Sequence, residues 1–222
     1  MSDAPRDAAD GLAAEVSRRL RDRYEQASFG GDEAALAAGL AEVAALRGVA
    51  DLAQGRLLHT QFLQDRQDRP GELAAFERAA VTFRDTGEAS GEAEARFWIG
   101  TYHQVVHGDS ETALPSFVRA GELAETAGDE RTLSYVERHL GFIDWEAGRA
   151  DQARSRFEKS LDLRRKLGFQ AGTAAALLAL AEFCASQGQT AEADRYVTEA
   201  RQLAQDCGAR GVLRWIDADT GS

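Results

Sequence analysis

Apolar and polar residues alternate along this chain with the period of a helix rather than of a strand. In one well-marked stretch Val136, Leu140, Ile143 and Ala147 fall at i, i+4, i+7 and i+11, which is one face of an α-helix. Gly148 follows; a residue without a β-carbon accepts the left-handed conformation that closes a helix C-terminus. A second face of small and large residues then runs through Ala153, Phe157, Ser160, Leu161 and Leu167 to Gly168. The two segments read as a helical hairpin.

The hairpin recurs. Gly108, Gly148 and Gly188 are 40 apart, and the same offset links Ala113, Ala153 and Ala193; Phe117, Phe157 and Val197; and Leu123, Leu163 and Leu203. Gly128, Gly168 and Gly208 keep the same step, with Gly87 lying 41 before the first and Gly48 a further 39 before that. The spacing predicts helices near residues 10–28, 32–47, 50–66, 71–86, 90–107, 110–127, 129–147, 150–167, 170–187 and 190–207, and a short last one over 209–217. One hairpin cannot bury its own apolar faces, whereas stacked neighbours share a continuous core. An all-α solenoid of about five hairpins follows, with residues 1–222 as one domain. In it 10–48 is a divergent first repeat, 50–208 holds the clearer ones, and Val212, Leu213, Trp215 and Ile216 give 209–217 the look of a cap.

Leu140-Gly141, Gly148, Ala153 and Phe157, with Gly100, Gly108, Ala113, Phe117 and Ala120 one unit earlier, resemble the tetratricopeptide repeat in its longer form of about forty residues. That form is found in kinesin light chains and many bacterial regulators. The resemblance is good over residues 50–208 and poor over 10–48. It departs from the family where a Trp is common early in the first helix, since Phe97, Glu137 and Leu177 stand there, and in lacking the Pro near the end of the second helix. The resemblance implies a right-handed superhelix whose first helices line a concave groove, and the binding of a peptide or another protein as its role.

Composition narrows the classes. The 37 acidic residues outnumber the 26 basic ones, for a net charge of −11, so a nucleic-acid partner is disfavoured: phosphate binding needs clustered Lys and Arg. Cys184 and Cys207 are too few for a disulfide scaffold, and no apolar run is long enough to span a bilayer. Met1 to Asp10 has no apolar segment flanked by positive charge, so a soluble, cytoplasmic protein without membrane contact is expected.

Catalytic chemistry is sparse. There is no glycine-rich phosphate loop, and hence no nucleotide cofactor to expect. His103 and His107 are four apart, a spacing that suits two metal ligands, but no HExxH pattern surrounds them, and they read as polar or half-buried histidines near a helix end. Neither cysteine has a base nearby in the repeat frame, so both read as small packing residues. Arg164, Arg165 and Lys166 read as basic residues complementing a helix dipole, Pro115 as a bend, and Asp217 to Asp219 as a solvated tail. No metal, no cofactor and no enzymatic activity are expected.

A second apolar stripe remains. Tyr135, Phe142 and Trp145 lie at i, i+7 and i+10, and Trp98, Tyr102 and Val105 at i, i+4 and i+7. The 40-residue register pairs Trp98 with Arg138, Tyr102 with Phe142 and Val105 with Trp145. These columns face either the groove or the neighbouring repeat. The candidate binding set is therefore Trp98, Tyr102, Tyr135, Arg138, Phe142 and Trp145, flanked by Gln54, Leu57, Gln61 and Gln64 on one side and Leu178, Glu182 and Ala185 on the other. Two functions fit: a non-catalytic scaffold that binds a peptide or protein in the groove, or a regulatory protein that senses a small molecule or signalling peptide there. Solenoid ends are apolar unless capped, so a homodimer through the first or last hairpin is a further expectation.

Overall fold

The computed structural model describes the backbone of residues 4–219 and the side chains of residues 11–218; the readings of the first ten residues and of Asp219 concern side chains outside that range. Ten helices follow one another among the described residues: α1 (Ala4–Gly30), α2 (Glu33–Asp65), α3 (Glu72–Thr86), α4 (Ala89–Thr101), α5 (Ser110–Ala127), α6 (Glu130–Glu146), α7 (Ala150–Lys166), α8 (Gln170–Ser186), α9 (Thr190–Asp206) and α10 (Arg210–Asp219). Starts and stops have local causes. The side chains of Asp32, Asp109 and Asp129 accept from backbone N–H groups in the first turns of α2, α5 and α6, satisfying donors that a helix start leaves without partners. From Gly87 to Gly208 the glycines of the 40-residue step end their helices at φ between 62° and 75°.

The last part of α2 pairs with α3, α4 with α5, α6 with α7 and α8 with α9; each pair packs on the next, and α10 closes on α8 and α9. This is a helical-hairpin solenoid. Its repeating knob is a phenylalanine of the second helix pressed onto a glycine of the first. A β-carbon added at Gly55, Gly100 or Gly141 would lie 2.4, 2.7 or 2.7 Å from the ring of Phe76, Phe117 or Phe157. All three rings are fully buried. At the end of the stack Val212 and Ile216 are buried, as a capping helix requires.

Two departures from the spacing matter. Residues 32–47 and 50–66, expected as separate helices, form the single helix Glu33–Asp65. Gly48, expected at a helix stop, lies inside it and buried, where an added β-carbon would stand 2.9 Å from the ring of Phe83. Glycine here serves close approach rather than a turn, and the first predicted hairpin is therefore α1 lying beside the first half of α2. That end is thinly covered, with Phe29, Leu36 and Leu40 exposed.

The second departure is one inserted residue. Gly87 and Gly128 are 41 apart, as are Gly100 and Gly141, yet Gly108 and Gly148 are 40 apart. The surplus falls between Gly100 and Gly108, where Tyr102–Val106 form a π-helical turn, the usual way for a helix to absorb an extra residue. The uniform register is thus one residue out along α4. Trp98 corresponds to His139 rather than to Arg138, and Phe97 corresponds to Arg138.

Pro115 sits exposed in the second turn of α5, and the helix runs through it. No helix among the described residues is long and apolar enough to cross a membrane.

Candidate functional site

The first helices of successive hairpins share one face of the stack, and that face encloses a cavity of about 340 Å³. α2 contributes His59 and Leu63, with Arg66 just beyond it; α4 contributes Phe97, Trp98 and Thr101, and the π-helical turn Val105. α6 contributes Tyr135, Arg138 and His139; α8 contributes Ala175, Leu178 and Glu182. Arg164 reaches it from α7, and Trp215 from α10. Elements more than 100 residues apart in sequence thus line one volume, because the stack curls until α2 and α10 both face it.

Its walls are aromatic. Trp98 lies nearly parallel to Phe76, with ring centroids 5.6 Å apart, and meets Phe97 and His59 at 5.1 and 5.3 Å. The indole Nε1 of Trp98 donates to Glu94, which also receives a bond from Arg56. Phe97 touches Tyr135 and His139, each at 5.3 Å. These contacts make one continuous run of rings, tilted or edge-on to one another, across α2, α4 and α6.

The polar groups set among the rings are held firmly. His139 Nδ1 lies 2.6 Å from Gln104 Oε1 in the π-helical turn, and the Gln104 amide nitrogen donates back to the backbone carbonyl of His139. Burial, aided by the charges of Arg138 and Arg164, holds this imidazole far below the usual histidine range, so it is neutral at pH 7. A neutral ring that donates Nδ1–H to Gln104 carries its lone pair on Nε2. His59 Nδ1 lies 2.9 Å from Glu72 Oε1, and both side chains are buried. The guanidinium of Arg138 stacks 4.8 Å from the centroid of Phe142, and that of Arg164 4.8 Å from the centroid of Tyr135.

The cavity collects three of the six expected residues: Trp98, Tyr135 and Arg138. Phe142 and Trp145 instead pack into the core, Phe142 against Phe157 of its own hairpin at 5.0 Å and Trp145 edge-on to Phe183 of the next at 5.8 Å. Tyr102 lies in the π-helical turn beside His107, with its hydroxyl donating to Asp68. Burial, reinforced by the Asp68 charge, pushes that phenol up to about 12. Of the expected flanking residues, Leu178 and Glu182 line the cavity, whereas Gln54, Leu57, Gln61, Gln64 and Ala185 do not.

Arg164 was missed. Its place in a basic run at a helix end suggests solvent, yet it is 1% exposed, donating to the carbonyl oxygens of Gly172 at 2.8 Å and Ser134 at 3.4 Å. Its neighbours Arg165 and Lys166 do face solvent, paired with Glu199 and Glu130. A sequence signal did exist, since position 164 lies three residues past Leu161 and seven past Phe157, on the buried face of the helix. The cysteines behave as packing residues: Cys184 is buried, with its thiol pushed up by burial, and Cys207 is half-buried. Among the described residues no three His, Cys, Asp or Glu side chains gather in a way that would hold a metal ion.

Comparison with known proteins agrees with this architecture. The tetratricopeptide repeat model matches residues 130–206, the span from the start of α6 to the end of α9. Among solved structures, that of BtubC (BKLC) from P. vanneervenii superposes with a TM-score of 0.52 at 17% identity, covering 88% of this chain and 90% of that one. At that identity the likeness is one of fold. No curated protein matches the sequence.

Proposed function

Residues 130–206 are tetratricopeptide repeats, and on that premise we propose that the protein is a non-catalytic binding module whose inner cavity receives a peptide or a segment of a partner protein. The observation that carries this reading is the cavity itself. It is apolar and aromatic over most of its lining, set with a few fixed polar groups, and built from α2, α4, α6 and α8 with Arg164 of α7 and Trp215 of the cap. The groups that chemistry would need support the same reading. The His139 Nδ1–H is engaged by Gln104, His59 is held by Glu72, and the Cys184 thiol is buried in core. A soluble, cytoplasmic setting belongs to the proposal.

A second reading has one observation in its favour. Leu63 from α2 and Trp215 from α10 approach the cavity from opposite ends of the stack, so it is bounded as a pocket for a compact molecule would be. In that case the protein is a sensor, and its ligand would hold the two ends of the solenoid together.

Leu63 and Trp215 are 37% and 42% exposed, so Leu63→Glu and Trp215→Ala should leave the fold intact. Affinity capture with the wild type and both variants, read by quantitative mass spectrometry, should show a partner that the wild type holds and both variants lose. A partner retained equally by all three would remove the cavity from the binding site. Native mass spectrometry of the purified wild type, showing a bound compact molecule that Trp215→Ala releases, would favour the sensor.

A further inference from the structure

We propose that the part of this cavity lined by Arg138 and Arg164 is an anion subsite, in which the two together hold the carboxylate of a ligand whose remaining body is flat and apolar. The proposal deepens the binding reading above and rests on it.

Arg164 carries a charge that no carboxylate among the described residues pairs with. Two other arginines, half-buried, meet carboxylates: Arg154 pairs with Glu158 and Glu192, and Arg156 with Glu137 and Asp144. Arg164 is more deeply buried than either, and its hydrogen bonds go to two backbone carbonyls. Nε of Arg164 and Nε of Arg138 are both buried without a hydrogen-bond partner. A buried cation without a counter-ion is costly, and a buried N–H left unmade adds to that cost. Burial, with the like charge of Arg138, pulls Arg164 down to about 9, and burial lowers Arg138 as well although Glu182 pulls the other way. Both remain cationic at neutral pH.

The lining carries Arg66, Arg138 and Arg164 against Glu182, a surplus of two positive charges (3 − 1) in a chain whose net charge is −11. Such a local reversal of sign is what an anion-binding site requires.

The rest of the ligand is specified by the walls. Trp98, Tyr135, Leu178 and Trp215 offer flat apolar surface, and the cavity of about 340 Å³ lies at the small end of the range for ligand pockets. Each guanidinium lies over a ring, Arg138 over Phe142 and Arg164 over Tyr135, and each keeps an Nε–H without a partner, a donor that a carboxylate oxygen would accept. A ring bearing a carboxylate therefore fits the chemistry. It could be a free aromatic acid or the C-terminal aromatic residue of a polypeptide, and the test below separates the two sources.

Isothermal titration calorimetry on the full chain would use 4-phenylbutyrate against 4-phenylbutyramide, and N-acetyl-Gly-Phe with a free carboxyl against its C-terminal amide. At least one acid should bind, with its amide weaker by about tenfold or more. Stronger binding of phenylbutyrate identifies a free acid as the source, and stronger binding of the dipeptide identifies a chain terminus. Arg138→Gln should weaken the acid by about tenfold or more and leave the amide unchanged, while Arg138→Lys restores part of the loss. Arg164→Gln strips bonds from Ser134 and Gly172 and is prone to misfold, so the Arg138 variants, with melting temperatures as controls, carry the test. Acid and amide binding alike, an acid indifferent to Arg138→Gln, or no binding of either acid at about 10 mM would each overturn the subsite. In any of those cases, partner capture that still depends on Leu63 and Trp215 would leave the cavity as a binding site and remove only its anion chemistry.

Discussion

The contact between Phe157 and Gly141 provides a test in which the sign of one substitution depends on another. An added β-carbon at Gly141 would stand 2.7 Å from Cε1 and 2.9 Å from Cδ1 of Phe157, well inside the roughly 3.5–4.0 Å at which carbon atoms rest. The ring has nowhere to go: Phe157 is 1% exposed, with the rings of Phe142 and Phe183 at 5.0 and 5.8 Å. Gly141→Ala should therefore incur an overpacking cost of about 3 kcal/mol, offset by about 1 kcal/mol because alanine is the better helix former, for a net loss of about 2 kcal/mol. Phe157→Val removes the ring and should cost about 3 kcal/mol by itself. With the ring gone, Gly141→Ala meets no clash and should stabilise by up to about 1 kcal/mol, a coupling of about 3 kcal/mol. The chain already contains such a solution, since Ala181 and Val197 stand one repeat later where Gly141 and Phe157 stand here. Urea unfolding of the four proteins, followed by far-UV circular dichroism, measures the cycle. Because a solenoid can unfold in parts, the slopes with urea must agree across the set before free energies are compared. If Gly141→Ala has the same sign in both backgrounds, with a coupling below about 0.5 kcal/mol, the glycine is not there to admit the ring.

Trp145→Ala should lower stability by about 3 kcal/mol through lost contact with Phe142 and Phe183, and should leave partner capture by the folded protein unchanged; stable protein with weakened capture would return Trp145 to the binding surface. Tyr102, whose phenol is raised from its ordinary value to about 12, contributes stability that is present below about pH 10 and lost as pH rises toward 12, so Tyr102→Phe should flatten the fall in melting temperature over that window. Equal slopes for wild type and variant would refute a raised phenol at Tyr102. Deleting residues 209–222 removes Val212 and Ile216 from the end of the stack and uncovers Leu203 and Tyr196, so light scattering after size exclusion should show association. A truncated chain that stays monomeric, with an unchanged melting temperature, would mean that α10 is no cap.

What the sequence determined alone is what depends on local chemistry and periodicity. The 3.6-residue apolar face settles that helices form, the glycines mark where most of them end, and the 40-residue step then requires the hairpins to stack. The phenylalanine column at Phe117 and Phe157 marks the core for the same reason, since a large side chain repeated on one helix face has to be buried. Tertiary structure decided the rest. A glycine has two uses, and only the ring of Phe83 pressed against Gly48 shows that this one admits a neighbour instead of ending a helix. The extra residue before Gly108 is countable in the sequence, but its absorption by the π-helical turn Tyr102–Val106, and the resulting shift of Trp98 relative to Arg138, is a property of the folded helix. Arg164 illustrates the limit best. Its charge argues for water and its position for the core, and the outcome was decided by the carbonyls of Ser134 and Gly172 and the face of Tyr135, groups on two other helices that only folding brings within reach.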